Sequence, residues 1–225
     1  MLVSAVMPTR GRRQFAAQAL RSFLSQTWPE MELVILDDAD DPSFEVPPPF
    51  DNVKYVVLEN RLTIPQKRNM VCEIAVGNII VNFDSDDWSA PTRVERQMAM
   101  MEAEKKAVCG FRQMYFWDIT KRQAWLYRGA HNYVLGTSLM FKREWWEKHI
   151  WNLKFKIASD NIFTSEAARS KQLIVSSVTD QMVARCHPGN TSPKRFGIAW
   201  KKTERENIPN EFFTSTMSND GITRD

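Results

Sequence analysis

Cysteine, histidine and glycine are all scarce in this chain of 225 residues, which contains three, three and eight of them. The cysteines, Cys72, Cys109 and Cys186, are odd in number and widely spaced, and no CxxC pair or Cys/His cluster occurs. This pattern argues against a zinc site. We therefore expect reduced cysteines that pack inside the protein.

Long hydrophobic runs are also lacking. No apolar run approaches the roughly 20 residues that cross a bilayer. Residues 1–7 are too few for a secretory signal, and Pro8 and three arginines follow them directly. These features predict a cytoplasmic protein without a transmembrane segment.

Acidic residues are absent before Glu30, and this stretch is the first of two that are basic. The cations are Arg10, Arg12, Arg13 and Arg21 in the first stretch, and Lys194, Arg195, Lys201 and Lys202 in the second. A net charge of +3 is too small for a general nucleic-acid binder. Basic clusters near predicted loop ends instead suit an anionic ligand.

What is present is the composition of a globular protein, with 43% hydrophobic and 25% charged residues. The length is enough for one substantial core. We expect a single domain over residues 1–213, with a nucleotide-binding half over 1–106 and an acceptor half over 107–213. Residues 214–225 are polar with little to bury, and we expect a flexible tail there.

Strands and helices alternate in the first half of the chain. The pattern predicts strands over 2–7, 32–36, 53–58 and 78–83, helices over 13–26 and 63–76, and a further helix that begins near Ser89 and Pro91. Four short apolar strands separated by helices predict an α/β fold with a mostly parallel sheet covered on both faces. In such sheets, ligands bind beyond the carboxyl ends of the strands.

The second half is less regular and predicts a smaller antiparallel part. Strands are expected over 108–117 and 123–127 around a turn at Thr120-Lys121, then over 134–141, 173–178 and 182–187. A short helix is expected over 143–149, and Ser159 is expected to cap a helix that ends near Ala168.

Acidic residues follow two of the predicted strands, as Asp37-Asp38 and as Asp84-Ser85-Asp86-Asp87. Three acids in four residues repel one another unless a cation or hydrogen bonds compensate. Carboxylate oxygens suit Mg²⁺ or Mn²⁺, although the same residues can also stabilise the N-terminus of the helix that follows. Asp37-Asp38 can likewise be a turn or a contact to a base or ribose.

Together these segments resemble the family 2 glycosyltransferases, which have the GT-A fold. The resemblance covers about the first 100 residues through VSAVMPTRGR at 3–12, LRSFLSQT at 20–27, ELVILDD at 32–38, KRN at 67–69 and IVNFDSDD at 80–87. It implies a divalent metal cofactor, Mn²⁺ or Mg²⁺, and a nucleoside-diphosphate sugar as donor, with a UDP-sugar expected.

The resemblance also implies roles for individual residues of the first half. Residues that contact the nucleotide are expected to be Pro8, Thr9, Arg10, Asp37, Asp38, Lys67, Arg68 and Asp84. Lys67 stands where the family commonly has alanine, so either Lys67 or Arg68 can be the cation at the nucleotide. Asp84 and Asp86 match the DXD motif, in which Asp86 ligates the metal and Asp84 faces the ribose or a metal-bound water.

The second half matches the family more loosely. Asp160 is the expected catalytic base, although Ser159 stands where the family often has glutamate, and Asp160 can alternatively support a helix N-terminus. His187, before Pro188-Gly189-Asn190, is expected to ligate the metal or touch the diphosphate, and is otherwise structural. Lys194 and Arg195, in a basic segment over 194–202, are expected to close over the diphosphate as a lid.

The expected function is therefore metal-dependent, inverting transfer of a sugar to an acceptor hydroxyl. Two acceptors stay open: a glycan, including a lipid-linked or protein-linked sugar, and a hydroxyl on a modified base of DNA. The alternative is a non-catalytic nucleotide-sugar-binding protein of the same fold. A nucleotidyltransferase is disfavoured because Gly11 is the only glycine near the first strand.

Overall fold

A seven-stranded mixed sheet forms the centre of the molecule. The structure is a computed structural model that describes residues 1–44, 48–155, 158–191, 194 and 196–214. The strands of this sheet, in spatial order, are β10 (Leu173–Ser176), β6 (Val108–Phe111), β9 (Met140–Lys142), β4 (Ile79–Asn82), β1 (Val3–Thr9), β2 (Met31–Asp37) and β3 (Val53–Val57).

The half of this sheet formed by β4, β1, β2 and β3 is parallel throughout, as predicted. β9 runs antiparallel to both β4 and β6, and β10 pairs parallel with β6. Because the parallel strands end at one edge, the residues after β1, β2 and β4 are brought to the same side of the molecule.

Helices cover both faces of the sheet. They are α1 (Arg13–Leu24), α2 (Ile64–Ile74), α3 (Arg93–Glu104), α4 (Arg143–Lys148) and α5 (Ser159–Arg169), followed by α6 (Asn210–Thr214). Apolar residues of α1 and α3 pack against one face, whereas those of α2, α4 and α5 pack against the other. Burial of these two clusters fixes the sheet between its helices.

A second, five-stranded sheet packs beside the first. Its strands, in spatial order, are β12 (Trp200–Thr203), β8 (Gln123–Arg128), β7 (Gln113–Asp118), β11 (Met182–Cys186) and β5 (Trp88–Ser89). The β7–β8 hairpin is antiparallel, as predicted, and Asp118 Oδ1 accepts hydrogen bonds from the backbone N–H groups of Thr120 and Lys121 in its turn.

The predicted strand over 134–141 is wrong. A single 3₁₀ turn occupies Gly136–Ser138, and only Met140–Lys142 forms a strand. The reason is that side chains bind this backbone in place of a neighbouring strand: Asn82 Nδ2 donates to Gly136 O at 2.7 Å, and Arg93 Nη2 donates to Thr137 O at 3.1 Å.

Three other segments differ from the prediction. Residues Trp88–Ser89 form β5, so the helix expected from Ser89 begins at Arg93. Ser159 lies inside α5, and the residue before the helix is Ala158. In the basic segment, Trp200–Thr203 is an edge strand paired with β8.

The predicted C-terminal tail falls largely outside the described residues, which stop at Thr214 in α6. All three cysteines are buried and unpaired, as expected. Within the part of the chain that the structure describes, no helix is both long and apolar enough to cross a membrane.

Candidate active site

A cavity of about 330 Å³ opens at the carboxyl edge of the parallel strands. It is lined from both halves of the chain, by loops after β1 and β4, by α2, by the first turn of α5 and by the segment after β11. Nine residues predicted for the site line it: Pro8, Thr9, Arg10, Lys67, Arg68, Asp84, Asp86, Asp160 and Lys194. The chain thus gathers cations and carboxylates that are up to 186 positions apart, from Pro8 to Lys194.

Asp86 is the most connected acid of the cavity. Its Oδ2 lies 2.9 Å from His187 Nε2, accepts a hydrogen bond from Asn190 Nδ2 at 3.2 Å, and lies 3.4 Å from Arg12 Nη1. Burial raises the pKa of this carboxyl, but the His187 hydrogen bond and the Arg12 charge outweigh burial and leave the pKa below its usual value. Asp86 is therefore ionised at neutral pH.

The pair formed by Asp86 and His187 has the chemistry of a partial metal site. A carboxylate oxygen and an imidazole nitrogen 2.9 Å apart match adjacent ligands of an octahedral ion with bonds of about 2.1 Å, which lie roughly 3 Å from each other. The described residues hold no group of three His, Cys, Asp or Glu side chains at metal-binding spacing. A Mg²⁺ or Mn²⁺ site here therefore fits if water and substrate oxygens complete it, as is usual for Mg²⁺.

Two contacts would have to change when His187 binds a cation. Arg12 Nη1 lies 2.9 Å from His187 Nε2, where a guanidinium and a metal ion repel each other. The Gly189 N–H lies 3.2 Å from Nδ1, which must carry the ring proton once Nε2 is a ligand.

The other two acids of the DSDD segment are held differently. Burial raises the pKa of Asp84, and the neighbouring Asp86 charge adds to this, whereas Arg68 opposes it. Burial also raises the pKa of Asp87, whose carboxylate accepts hydrogen bonds from Thr137 Oγ1 at 2.6 Å and from the Arg185 N–H at 3.2 Å. Asp87 is thus engaged by the protein, while Asp84 faces the cavity.

Two buried arginines support this acidic segment from behind. Arg93 is fully buried and donates to Asn82 O at 2.8 Å, and Arg185 Nη1 donates to Asp86 O at 2.7 Å. Burial lowers the pKa of each guanidinium to about 10, against the pull of the nearby aspartates, so both stay charged at neutral pH. Their charge offsets the repulsion among the acids.

The predicted nucleotide side contains both engaged and unengaged groups. Lys67 Nζ donates to Asp38 Oδ1 at 2.7 Å and to Thr9 O at 2.9 Å, and Asp38 Oδ2 accepts the Leu62 N–H at 2.7 Å. Asp37 accepts hydrogen bonds from the Ser43 N–H at 2.7 Å and from Tyr55 Oη at 3.1 Å. Neither aspartate lines the cavity, and both act in this structure as supports of the loops around it.

Arg10 and Arg68, in contrast, present unsatisfied donors. Among the described residues, Arg10 Nη1 and Arg68 Nε are buried and have no hydrogen-bond partner. Buried polar groups are nearly always hydrogen-bonded in folded proteins. Two such guanidinium groups at one cavity suit an anionic ligand with several acceptor oxygens.

Asp160 lies on the α5 side of the cavity, in the first turn of that helix. Its carboxylate packs directly on Gly136, where any Cβ atom would overlap it and would lie 2.7 Å from the Asp160 Cβ. No hydrogen bond to this carboxylate is formed within the described part of the chain, so it can accept one from a ligand.

The sequence matches a known family over most of its length. The profile of the glycosyl transferase family 2 matches residues 4–171, about three quarters of the chain. The chain belongs to glycosyl transferase family 2. This confirms the resemblance seen in the sequence motifs.

Curated relatives match a smaller share of the chain than the family profile does. They include the UDP-Glc:alpha-D-GlcNAc-diphosphoundecaprenol beta-1,3-glucosyltransferase WfaP of Escherichia coli, 28% identical over 107 residues. The putative glycosyltransferase EpsE of Bacillus subtilis is 28% identical over 109 residues. Each alignment covers 46% of this chain, with 43% and 39% of the relative, so the chain spans about two fifths of the curated relatives it matches.

Solved structures confirm the GT-A fold. The structure of S. aureus TarS 1-349 in complex with UDP superposes with a TM-score of 0.68 at 20% identity, covering 84% of this chain and 61% of that chain. The mannosyltransferase PcManGT from Pyrobaculum calidifontis, in complex with GDP-Man and Mn²⁺, gives a TM-score of 0.59 at 14% identity, with coverage of 81% and 56%.

The other predicted residues of the second half differ in their position relative to the cavity. His187 contacts Asp86 without lining the cavity, and Lys194 lies 5.5 Å from the Phe116 ring centroid. Arg195, the second predicted lid residue, falls outside the described residues. Lys201 and Lys202 are exposed on the edge strand β12 and do not line the cavity.

Several residues that shape the site had no predicted role, among them Arg93, Thr137, Arg185 and Asn190. Asn190 follows the predicted His187 closely in the sequence, and Thr137 lies in the segment that was predicted as a strand over 134–141. Arg185 carried a weaker signal, namely an arginine within an otherwise apolar strand, whereas Arg93 stands beside Glu95, Arg96 and Gln97 and carried none.

Proposed function

We propose that this family 2 protein is an inverting glycosyltransferase that moves a sugar from a nucleoside-diphosphate sugar to an acceptor hydroxyl. The observation that carries the proposal is one cavity with three complementary parts. These are the guanidinium groups of Arg10 and Arg68, each with one buried nitrogen that has no partner among the described residues, the pair of Asp86 and His187, and the unengaged carboxylate of Asp160.

The donor lies along the first-half side of the cavity. Arg10 and Arg68 bind the diphosphate oxygens, Pro8 and Thr9 border the base, and Asp84 faces the ribose. UDP is the proposed nucleotide, because TarS binds it in a similar fold and WfaP is named for a UDP-Glc donor. Asp37 and Asp38 support this pocket through the backbone of its loops.

Asp86 and His187 are the proposed ligands of Mn²⁺ or Mg²⁺. When bound, such an ion neutralises charge on the departing nucleoside diphosphate. Arg68, Arg10 and Lys194 contribute positive charge to the same end of the cavity. Lys194 and Arg195 are proposed to cover the diphosphate after it binds.

Asp160 is the proposed general base. Its carboxylate accepts the proton of the acceptor hydroxyl, whose oxygen forms a bond to the anomeric carbon. The bond from that carbon to the diphosphate oxygen breaks in the same step, with inversion. Because Gly136 has no Cβ atom, there is room for the carboxylate at the cavity wall.

A saccharide is the proposed acceptor, and the names of WfaP and its relative WfgD point to a lipid-linked one. The exposed pair Lys201 and Lys202 on β12 favours a second candidate, a hydroxyl of a modified DNA base. DNA affinity that falls steeply with salt supports the second candidate. No DNA binding at low salt removes it.

Asp160→Asn tests the transfer proposal against the alternative of a sugar-nucleotide-binding protein without catalysis. We expect the variant to bind UDP as the unmodified protein does and to hydrolyse or transfer a UDP-sugar at least 100-fold more slowly, the usual contribution of a general base being about 10²–10⁴. Asp180→Asn, an exposed aspartate that pairs with Arg96, is the matched control. An unmodified protein that binds UDP-sugar but never turns it over would support the alternative.

A further inference from the structure

Trp151 joins the donor side of the cavity to the helix that carries Asp160. Its side chain is only 1% exposed. Arg68 Cζ lies 4.6 Å from the ring centroid, and Phe163 of α5 stacks on the ring with centroids 4.3 Å apart and planes 16° from parallel. One indole ring therefore contacts groups on both sides of the proposed reaction centre.

Asn69, the residue after Arg68 in α2, holds the backbone of Trp151, which carries this ring. Its Nδ2 donates to Trp151 O at 3.0 Å, and its Oδ1 accepts from Trp151 N at 2.9 Å and from Trp146 Nε1 at 3.1 Å. A side-chain amide with three hydrogen bonds is held in one orientation. Trp151 is thus fixed to the same helix that presents Arg68.

Arg68 packs on this ring and is otherwise attracted by the Asp84 carboxylate, whose pKa it acts to lower against the effect of burial. It forms no ion pair and no hydrogen bond with another described residue, and its Nε is buried. A planar guanidinium is attracted to the face of an aromatic ring, most strongly where water is excluded. The Trp151 ring is therefore the group that packs directly on the guanidinium of Arg68, in addition to the attraction of Asp84.

The same ring supports Asp160 through α5. Phe163 lies three residues after Asp160, which places the two side chains on one face of the helix. Phe163 is buried and also contacts Phe141 of β9 at 5.0 Å between centroids. Replacing the Trp151 ring by a smaller side chain removes the surface on which Phe163 stacks, so the first turn of α5 must shift or a cavity must remain.

We propose that Trp151, held by Asn69, is a positioning residue that directs Arg68 toward the donor and sets its separation from Asp160. This inference rests on the proposed function, because it requires Arg68 to contact the nucleotide. Trp151 belongs to none of the motifs through which the chain resembles the family.

The test is a double-mutant cycle read by UDP affinity, measured by calorimetry in the presence of Mn²⁺. Trp151→Leu is expected to weaken UDP binding about 10-fold, within the range of a desolvated cation–π contact, whereas Trp151→Phe stays within about 3-fold because it keeps an aromatic face. In an Arg68→Ala background, Trp151→Leu should cause no further loss of affinity, since the contact is already gone. Trp151→Leu should also lower kcat at saturating donor through α5.

Trp145→Leu is the matched control. Trp145 is also buried in the same apolar cluster, but it stacks on His149 and not on Arg68. Trp145→Leu should lower the Tm about as much as Trp151→Leu does and should leave the UDP affinity unchanged.

The outcomes separate this inference from the proposed function. If Arg68→Ala itself leaves UDP affinity unchanged, the proposed donor site is wrong. If Arg68→Ala weakens binding but the losses in the double variant are additive, or Trp145→Leu weakens binding equally, the positioning role is overturned. Should Trp151→Leu not fold, Asn69→Ala replaces it in the same cycle, with the same two readings.

Discussion

Arg12 brings a positive charge into the group of side chains around Asp86. Its Nη1 lies 2.9 Å from His187 Nε2 and 3.4 Å from Asp86 Oδ2, and its side chain is largely buried. From the sequence, His187 and Asp86 are predicted metal ligands, whereas Arg12 is only one of the cations in the basic stretch before Glu30. The structure places the arginine and the two proposed ligands together, so guanidinium and metal ion compete for the same atoms.

Replacing Arg12 should therefore strengthen metal binding. We expect Arg12→Met, without nucleotide, to bind Mn²⁺ several-fold more tightly, since a neutral side chain removes the repulsion at this distance. Calorimetric titration with Mn²⁺ measures the change, and Arg96→Met, which removes an exposed arginine, is the control. Weaker Mn²⁺ binding in Arg12→Met would show that the arginine does not oppose the ion.

At the scale of elements, the sequence predicted most of the first half because each apolar strand there alternates with a helix of clear period. The helix predicted from residue 63 is an example: Thr63 and Gln66 have the residue types of a capping box, and Gln66 Oε1 accepts the Thr63 N–H at 2.9 Å. The prediction of a strand around Gly136 is wrong because the buried apolar residues there resemble those of a strand. The backbone is instead held by hydrogen bonds from the Asn82 and Arg93 side chains, which no local pattern reveals. The polar strand β12 was missed because its pairing with β8 is distant in sequence.

Gly136 links this irregular segment to α5. In Gly136→Ala the new methyl group would overlap the Asp160 carboxylate, so the first turn of α5 must move. We expect a loss of about 1–3 kcal/mol in the free energy of unfolding, as for other overpacked sites, together with a reduced kcat. Urea unfolding and turnover measure the two effects.

Gly197→Ala is the control for this substitution, because nothing lies within 4 Å of a Cβ built at Gly197. Equal effects of the two substitutions on turnover would mean that the contact between Gly136 and Asp160 does not determine kcat.

At the scale of the whole molecule, the sheet explains why distant motifs meet. The sequence predicted that the ends of β1, β2 and β4 share one edge, and the parallel register confirms it. It did not predict that Asp37 and Asp38 would be engaged within the protein, because hydrogen bonds to Ser43, Tyr55 and Lys67 depend on tertiary packing. At the opposite edge of the sheet, Glu32 links the amino ends of β1, β2 and β3.

Glu32 ties neighbouring strands together as a buried carboxylate. It accepts hydrogen bonds from Ser4 Oγ at 2.6 Å, the Val76 N–H at 2.6 Å and Lys54 Nζ at 2.9 Å. Burial raises the pKa of this carboxyl, but the three donors together outweigh burial and hold the pKa below its usual value. The stability it contributes is therefore fully present above its unfolded pKa of about 4.3 and is lost as pH falls through the lower folded pKa.

Glu32→Gln should accordingly lower the free energy of unfolding by about 1.5–3 kcal/mol at pH 7, the usual range for hydrogen bonds to a charged group. The difference from the unmodified protein should shrink as the pH falls from 7 toward 3. Urea unfolding at several pH values measures it. Glu30→Gln, at an exposed ion pair with the N-terminus, should change little. A difference at Glu32 that does not depend on pH would contradict the assignment of an ionised, hydrogen-bonded carboxylate.

Calorimetric titration with UDP, with and without Mn²⁺, of the unmodified protein and of Asp86→Asn tests the proposed donor and metal site most directly, with Asp180→Asn as control. The cavity around Asp86, Arg68 and Arg10 predicts UDP binding that strengthens with Mn²⁺ and loses this dependence in Asp86→Asn. Failure of UDP, GDP, CDP and ADP alike to bind the folded protein would contradict it, and only membership of the family would then stand.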